Sequence, residues 1–207
     1  MTIRRPPLSH TLLALLLTAL LAGCATPSPS PRLYLLSATA TPLPDKAQAQ
    51  EASGPASVGL GPISLPDYLD RPQIVTRATP NRLSASEGHR WAEPLTAGVT
   101  RVLSEQLGAL LAPTPLMVHP WKQAEAPAVQ LRLELLRFEA GPDRAFHLHA
   151  RWTLAGPAMP TPAQPRHAAH DLPLDPTDHE AQVAAAGEAL TRLAQDIAAD
   201  LRRQRQH

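Results

Sequence analysis

Apolar and polar residues alternate most cleanly in the second half of the chain. Val129, Leu131, Leu133 and Leu135 are interleaved with Gln130, Arg132 and Glu134, the period of two of a half-buried strand. Leu136 and Phe138 break that phase, which predicts a bulge near the strand's end. Gly141-Pro142-Asp143 predicts a turn. Phe146, Leu148, Ala150, Trp152 and Leu154 then alternate with His147, His149, Arg151 and Thr153, completing a hairpin. Shorter runs predict strands over 32–36, 58–65, 116–119 and, as an edge strand, 164–172. Residues 73–78 and 82–86 read as a second hairpin across Thr79-Pro80-Asn81. Gly59 and Gly61 predict a bulge or a close backbone approach within the 58–65 strand.

Two segments have helical period instead. Leu95, Val99, Val102, Leu103, Leu107, Leu110 and Leu111 form an apolar stripe, with Gln106 as its polar exception. This predicts a helix over 94–111, with Pro94 at the first helical position and Pro113 and Pro115 beyond its end. Thr177-Asp178-His179-Glu180 reads as a capping box. It opens a helix to about Arg203 whose buried face is Val183, Ala186, Leu190, Leu193, Ile197 and Leu201. Residues 37–57 carry no periodicity and read as a long loop. The order of elements predicts an α/β fold, a single domain over 32–207. It has a mixed, mostly antiparallel sheet with two helices packed on one face.

The first 31 residues belong to neither pattern. Arg4 and Arg5 precede an apolar run over 11–22, and Leu21-Ala22-Gly23-Cys24 closes it. As a helix, that run spans roughly 18 Å, short of a hydrocarbon core of about 30 Å. It suits an export signal over 1–23, cut before Cys24. Residues 25–31 (A-T-P-S-P-S-P) read as a flexible tether from Cys24 to the domain. Cys24 is the lone cysteine, so no intramolecular disulfide is available. At this junction it reads as the lipidated first residue of the mature protein. Acyl chains on one residue, more than one of them, would hold the protein to a membrane stably. Ala25 stands where an aspartate marks inner-membrane retention in enterobacteria, so the outer membrane, periplasmic face, is the expected location.

Removing 23 of the 207 residues leaves 184, with 17 Lys+Arg against 18 Asp+Glu because the signal takes Arg4 and Arg5. That balance gives no reason to expect nucleic acid as a partner. No G-x-S-x-G, H-E-x-x-H or phosphate loop is present. Gly59-Leu60-Gly61 leads into Pro62 and no helix, so a dinucleotide site is excluded. No enzyme and no cofactor are expected. His147 and His149 share a strand face, with His167, His170 and Asp171 on the next strand. Their spacing matches no ligand box, so they read as solvated or partner-facing histidines and no metal site is assigned. Arg202, Arg203, Arg205 and His207 read as a solvated helix end.

The segment 65–94 is the densest in interface-type residues. Arg71, Arg77, Arg82 and Arg90 are interleaved with Tyr68 and Trp91, in a chain with only seven aromatic residues. Trp91 reads as a core anchor ahead of the helix, and Arg71 as either a partner contact or the mate of Asp67 or Asp70. The run V-G-L-G-P-I-S-L-P-D-Y-L-D-R-P-Q-I-V-T-R, followed by N-R-L and R-W-A-E-P-L, closely resembles the PqiC family, the ABC-type transport auxiliary lipoproteins. L-Y-L-L, L-R-F-E and the closing helix extend the resemblance over nearly all of the mature chain. It implies a lipoprotein that docks a periplasm-spanning MCE-domain protein and an inner-membrane transporter component, as a homo-oligomeric ring. Such a system carries lipid between membranes and supports envelope integrity. On that reading Tyr68, Arg71, Arg77 and Arg90 are the expected partner contacts. The alternative is a periplasmic lipid-binding carrier, which needs an apolar cavity.

Overall fold

The computed structural model describes residues 30–39, 55–157, 159 and 164–203. Eight strands and two α-helices follow one another among them. The order is β1 (Arg32–Tyr34), β2 (Val58–Ser64), β3 (Gln73–Thr79), β4 (Arg82–Trp91), α1 (Leu95–Leu111), β5 (Leu116–Val118), β6 (Val129–Ala140), β7 (Ala145–Ala155), β8 (Arg166–Pro173) and α2 (His179–Arg203). A short 3₁₀ turn, Asp67–Leu69, joins β2 to β3. Residues 1–29, with the signal, Cys24 and most of the tether, lie outside the described residues, as do most of the predicted 37–57 loop, Arg205 and His207.

All eight strands join one mixed sheet with β6 at its axis. On one side β6 pairs antiparallel with β7, from Gln130↔Ala155 to Ala140↔Phe146, and β7 pairs antiparallel with β8. On the other side two strands succeed one another along β6. β2 runs parallel to its first half, Val58↔Val129 to Ser64↔Glu134, with β5 parallel outside β2. β3 reaches the far end of β6 through one registered pair, Thr76↔Ala140, and carries β4 and β1 outward. The long ladders are antiparallel and the short ones parallel, which gives the mixed, mostly antiparallel sheet expected from the order of elements.

Alternation decides which face is buried. Val129, Leu131, Leu133 and Leu135 of β6 and Phe146, Leu148, Ala150, Trp152 and Leu154 of β7 are buried. They join one apolar cluster with Val99, Val102, Leu103 and Leu107 of α1 and Leu190, Leu193, Ile197 and Leu201 of α2. Both helices therefore cover one face of the sheet, α1 against β2 and β5, α2 against β6, β7 and β8. The Trp152 indole N–H donates to Asp200 of α2 at 3.2 Å, which gives that buried carboxylate a partner at the helix–sheet interface. Among the described residues no helix is long and apolar enough to cross a membrane.

Local chemistry refines three boundaries. Pro94 is the residue before α1, not its first helical residue, with ψ 131° and its carbonyl accepting from Ala97 and Gly98. The cap of α2 is Asp178, whose Oδ1 accepts from the Ala181 N–H at 3.1 Å, while the Thr177 hydroxyl turns back to Asp175 at 2.8 Å. β4 continues to Trp91, past the expected hairpin end, because its last residues gain β1 as a parallel neighbour, Arg32↔His89 to Tyr34↔Trp91. The expected close approach at Gly59 is found, since a Cβ there would strike Pro127 and meet Trp121 Cη2 at 2.8 Å. Gly61 has φ +116° and sits in the register shift between Leu60 and Ile63.

Leu190 is fully buried between α2 and the sheet. Leu190→Ala is expected to lower unfolding free energy by about 3 kcal/mol, read from the urea midpoint at unchanged slope.

Candidate functional site

The bulge in β6 determines what the helix-free face carries. Leu135 pairs with Ala150 and Arg137 with His149, so Leu136 is the extra residue. Beyond it the phase inverts. Phe138 turns into the core, edge-to-face with Phe146 at 5.0 Å, and Glu139 faces away from the helices. Its side chain is nevertheless 0% exposed.

Four donors satisfy that buried carboxylate. Arg77 Nε donates to Oε1 at 2.8 Å and Arg137 Nε at 3.1 Å. The Tyr68 hydroxyl donates to Oε2 at 2.9 Å, and the Phe138 N–H at 3.0 Å. Arg77 also lies over the Tyr68 ring, 5.6 Å from its centroid, within cation–π range. Burial pushes the Glu139 carboxyl up, but the hydrogen bonds from Arg77, Phe138, Tyr68 and Arg137 outweigh it and hold the group below its ordinary range. Burial, then the neighbouring Glu139 charge, pushes the Tyr68 hydroxyl up to about 12. Arg77 arrives on β3 and Tyr68 on the turn before it. The network thus ties the β3–β4–β1 segment to β6, where the backbone supplies a single registered pair.

The other expected contacts lie elsewhere. Arg71 is exposed and makes no ion pair among the described residues, so pairing with Asp67 or Asp70 is not what the structure adopts. It lines a groove of about 340 Å³ with Asp70, Pro72, Trp91, Glu93 and Pro94. Trp91 is partly buried and packs against the core, as an anchor should. Arg90 pairs with exposed Glu87 at 3.2 Å, and Arg82 is exposed at the hairpin. Sequence reasoning passed over Arg101. Its guanidinium donates to the Leu36 carbonyl at 2.7 Å and to Glu93 at 2.8 Å, fastening the segment after β1 to α1. An arginine on the polar side of an amphipathic helix gives no signal of that role.

The histidines divide between the two faces. His147 and His149 stand on the helix-free face with Asp171 of β8. His167 pairs across from Arg151 on that face, whereas His170 points to α2 and lies 2.9 Å from Asp196. Arg202 donates to the Leu110 carbonyl at 2.7 Å, joining the C-terminal ends of the two helices.

The structure is thus a mixed sheet with paired helices on one face and an arginine-bearing groove beside the helix entry. The chain belongs to the family of ABC-type transport auxiliary lipoprotein components, whose model matches residues 34–198. That family is one of transport auxiliary lipoproteins and not of enzymes, which makes this chain a lipoprotein of the cell envelope that serves a transporter. No curated protein sequence matches it. Among solved structures it is similar to an uncharacterized protein at 15% identity, covering 84% of this chain and 99% of that one, with a TM-score of 0.66. It is also similar to protein XCC0632 from Xanthomonas campestris, at 19% identity over 84% of this chain and 97% of that one, with a TM-score of 0.62. At these identities the likeness shows the fold.

Arg77→Ala is expected to cost about 3 kcal/mol of stability, because it strips a buried carboxylate of its shortest charged partner. The pH dependence has a defined sign. A carboxyl that titrates lower in the folded state than its unfolded value of about 4.3 stabilises the fold fully above that value. The contribution is lost as pH falls through the folded-state value. The melting-temperature gap between wild type and Glu139→Gln should therefore be widest near neutrality and close as pH drops into the carboxylate range.

Proposed function

We propose that this protein is the outer-membrane lipoprotein subunit of an MCE-type intermembrane lipid transport system. It is anchored by acyl chains on Cys24 and docks the periplasm-spanning MCE-domain protein. The observation that carries this reading is Arg71. It is an exposed arginine with no ion pair among the described residues, set in a groove against Trp91, within the stretch that resembles the PqiC family. Arginine beside a partly buried tryptophan is the composition of an interface hot spot. Arg90 of β4, paired with exposed Glu87, is a second proposed contact outside that groove. Tyr68 and Arg77 support the surface from within, since Glu139 already neutralises Arg77.

Docking is favoured over lipid carriage because the apolar faces of both helices and the sheet are gathered in one packed cluster. The tether between Cys24 and Arg32 lets the domain stand roughly 25–30 Å from the bilayer at most. Copies of the domain form a ring around the partner in this proposal, as the resemblance to the PqiC family implies.

Arg71→Glu is expected to abolish co-purification with the MCE-domain partner at an unchanged melting temperature, because no internal bond is lost. Retained co-purification removes Arg71 from the interface. Cys24→Ser is expected to move the protein from the membrane fraction to the soluble periplasmic fraction, and to abolish incorporation of labelled palmitate.

A further inference from the structure

Strand register brings together three side chains that lie far apart in the chain. His147 and His149 are two residues apart on β7, and Asp171 is the β8 partner of His147. Asp171 Oδ1 lies 2.6 Å from His147 Nδ1 and 3.6 Å from His149 Nε2. One donor atom from each of the three falls within 4.8 Å of the other two. We propose that His147, His149 and Asp171 form a binding site for a divalent transition-metal ion of the Zn²⁺ class.

The donor set is the first reason. Two imidazoles and one carboxylate match the ligand chemistry of such ions, and three protein ligands leave one coordination position open. Distance is the second. Ligands 2.0–2.2 Å from a tetrahedral ion lie about 3.3 Å apart. The His149–Asp171 separation is already close to that, the hydrogen-bonded His147–Asp171 pair has to open by less than about 1 Å, and the two histidine donors, within 4.8 Å of each other, have to close by no more than about 1.5 Å. Asp171 and His149 have side chains 57% and 35% exposed, free to adjust around His147, which is 7% exposed and fixed by packing.

The third reason is the group behind the buried ring. His147 Nε2 lies 2.9 Å from Asp143 Oδ1. A carboxylate there accepts from Nε2–H, the outer-shell arrangement common to metal-bound histidines, so that a bound ion would take the place of the proton Nδ1 shares with Asp171. Gly141 makes room for it, since a Cβ at that position would strike Asp143 and come within 2.6 Å of His147 Nε2. His149 reaches the same Asp171 oxygen at ion-pair distance, so all three donor side chains already converge on one point. Arg137, the β6 partner of His149, shares the Glu139 carboxylate with Arg77, and the positive charge left over acts on Asp143 beside His147.

The test uses the full chain, without a histidine tag, extracted from membranes in detergent, stripped with EDTA and titrated calorimetrically with Zn²⁺. Saturable binding of one ion per chain is expected. His149→Ala should weaken it at least tenfold at unchanged melting temperature, Asp171→Asn should weaken it at least tenfold in a chain that still unfolds cooperatively without metal, and His167→Ala should leave it as in the wild type. The absence of saturable one-to-one binding, or wild-type affinity in both His149→Ala and Asp171→Asn, overturns the proposal.

Discussion

A buried charge bridges two parts of the sheet. Between β3 and β6 the backbone contributes one registered pair, and the bonds to Glu139 join the β3–β4–β1 segment to β6 alongside the apolar packing of Leu36, Leu69 and Val75. An ionised carboxylate removed from water is tolerable only when its lone pairs are filled. Here they are filled by a tyrosine, two arginines and a backbone amide drawn from three parts of the chain. The groove that carries Arg71 and Trp91 is built on that same segment, and its position follows from this bond set.

Much of the fold was legible because periodicity reports burial directly. The β6–β7 hairpin, the bulge after Leu135 and both helix faces follow from which residues must leave water. The consequence of the bulge was not legible. One extra residue, Leu136, throws Glu139 onto the helix-free face, and only the register of β6 against β3 shows what it meets there. Parallel pairing of β1 with β4 was hidden for a similar reason. Partners far apart in sequence leave no turn signal, and Glu87-Gly88-His89 shows no alternation.

The candidate site was legible in composition and not in role. Arg71 and Arg77 are the same residue type, six positions apart in one segment, and pattern alone assigns both to a partner. Tertiary register separates them. Arg77 lies where Glu139 faces it, and Arg71 lies on the turn before β3, where it makes no ion pair among the described residues. The histidines behave likewise. His147 and Asp171 become neighbours through β7–β8 pairing, while His170, adjacent to Asp171 in sequence, points to the opposite face and is taken by Asp196.

The chain belongs to a family of transport auxiliary lipoproteins, and the role proposed for it is docking. The proposed role therefore rests on what lies against the Arg71–Trp91 groove when the protein is at work in the envelope. Site-specific photo-crosslinking answers this most directly, with a photoreactive amino acid at position 71 in living cells and mass-spectrometric identification of the adduct. Docking predicts a discrete adduct with the MCE-domain protein. An adduct with other envelope proteins alone, or none at all from a folded and membrane-bound variant, would contradict it.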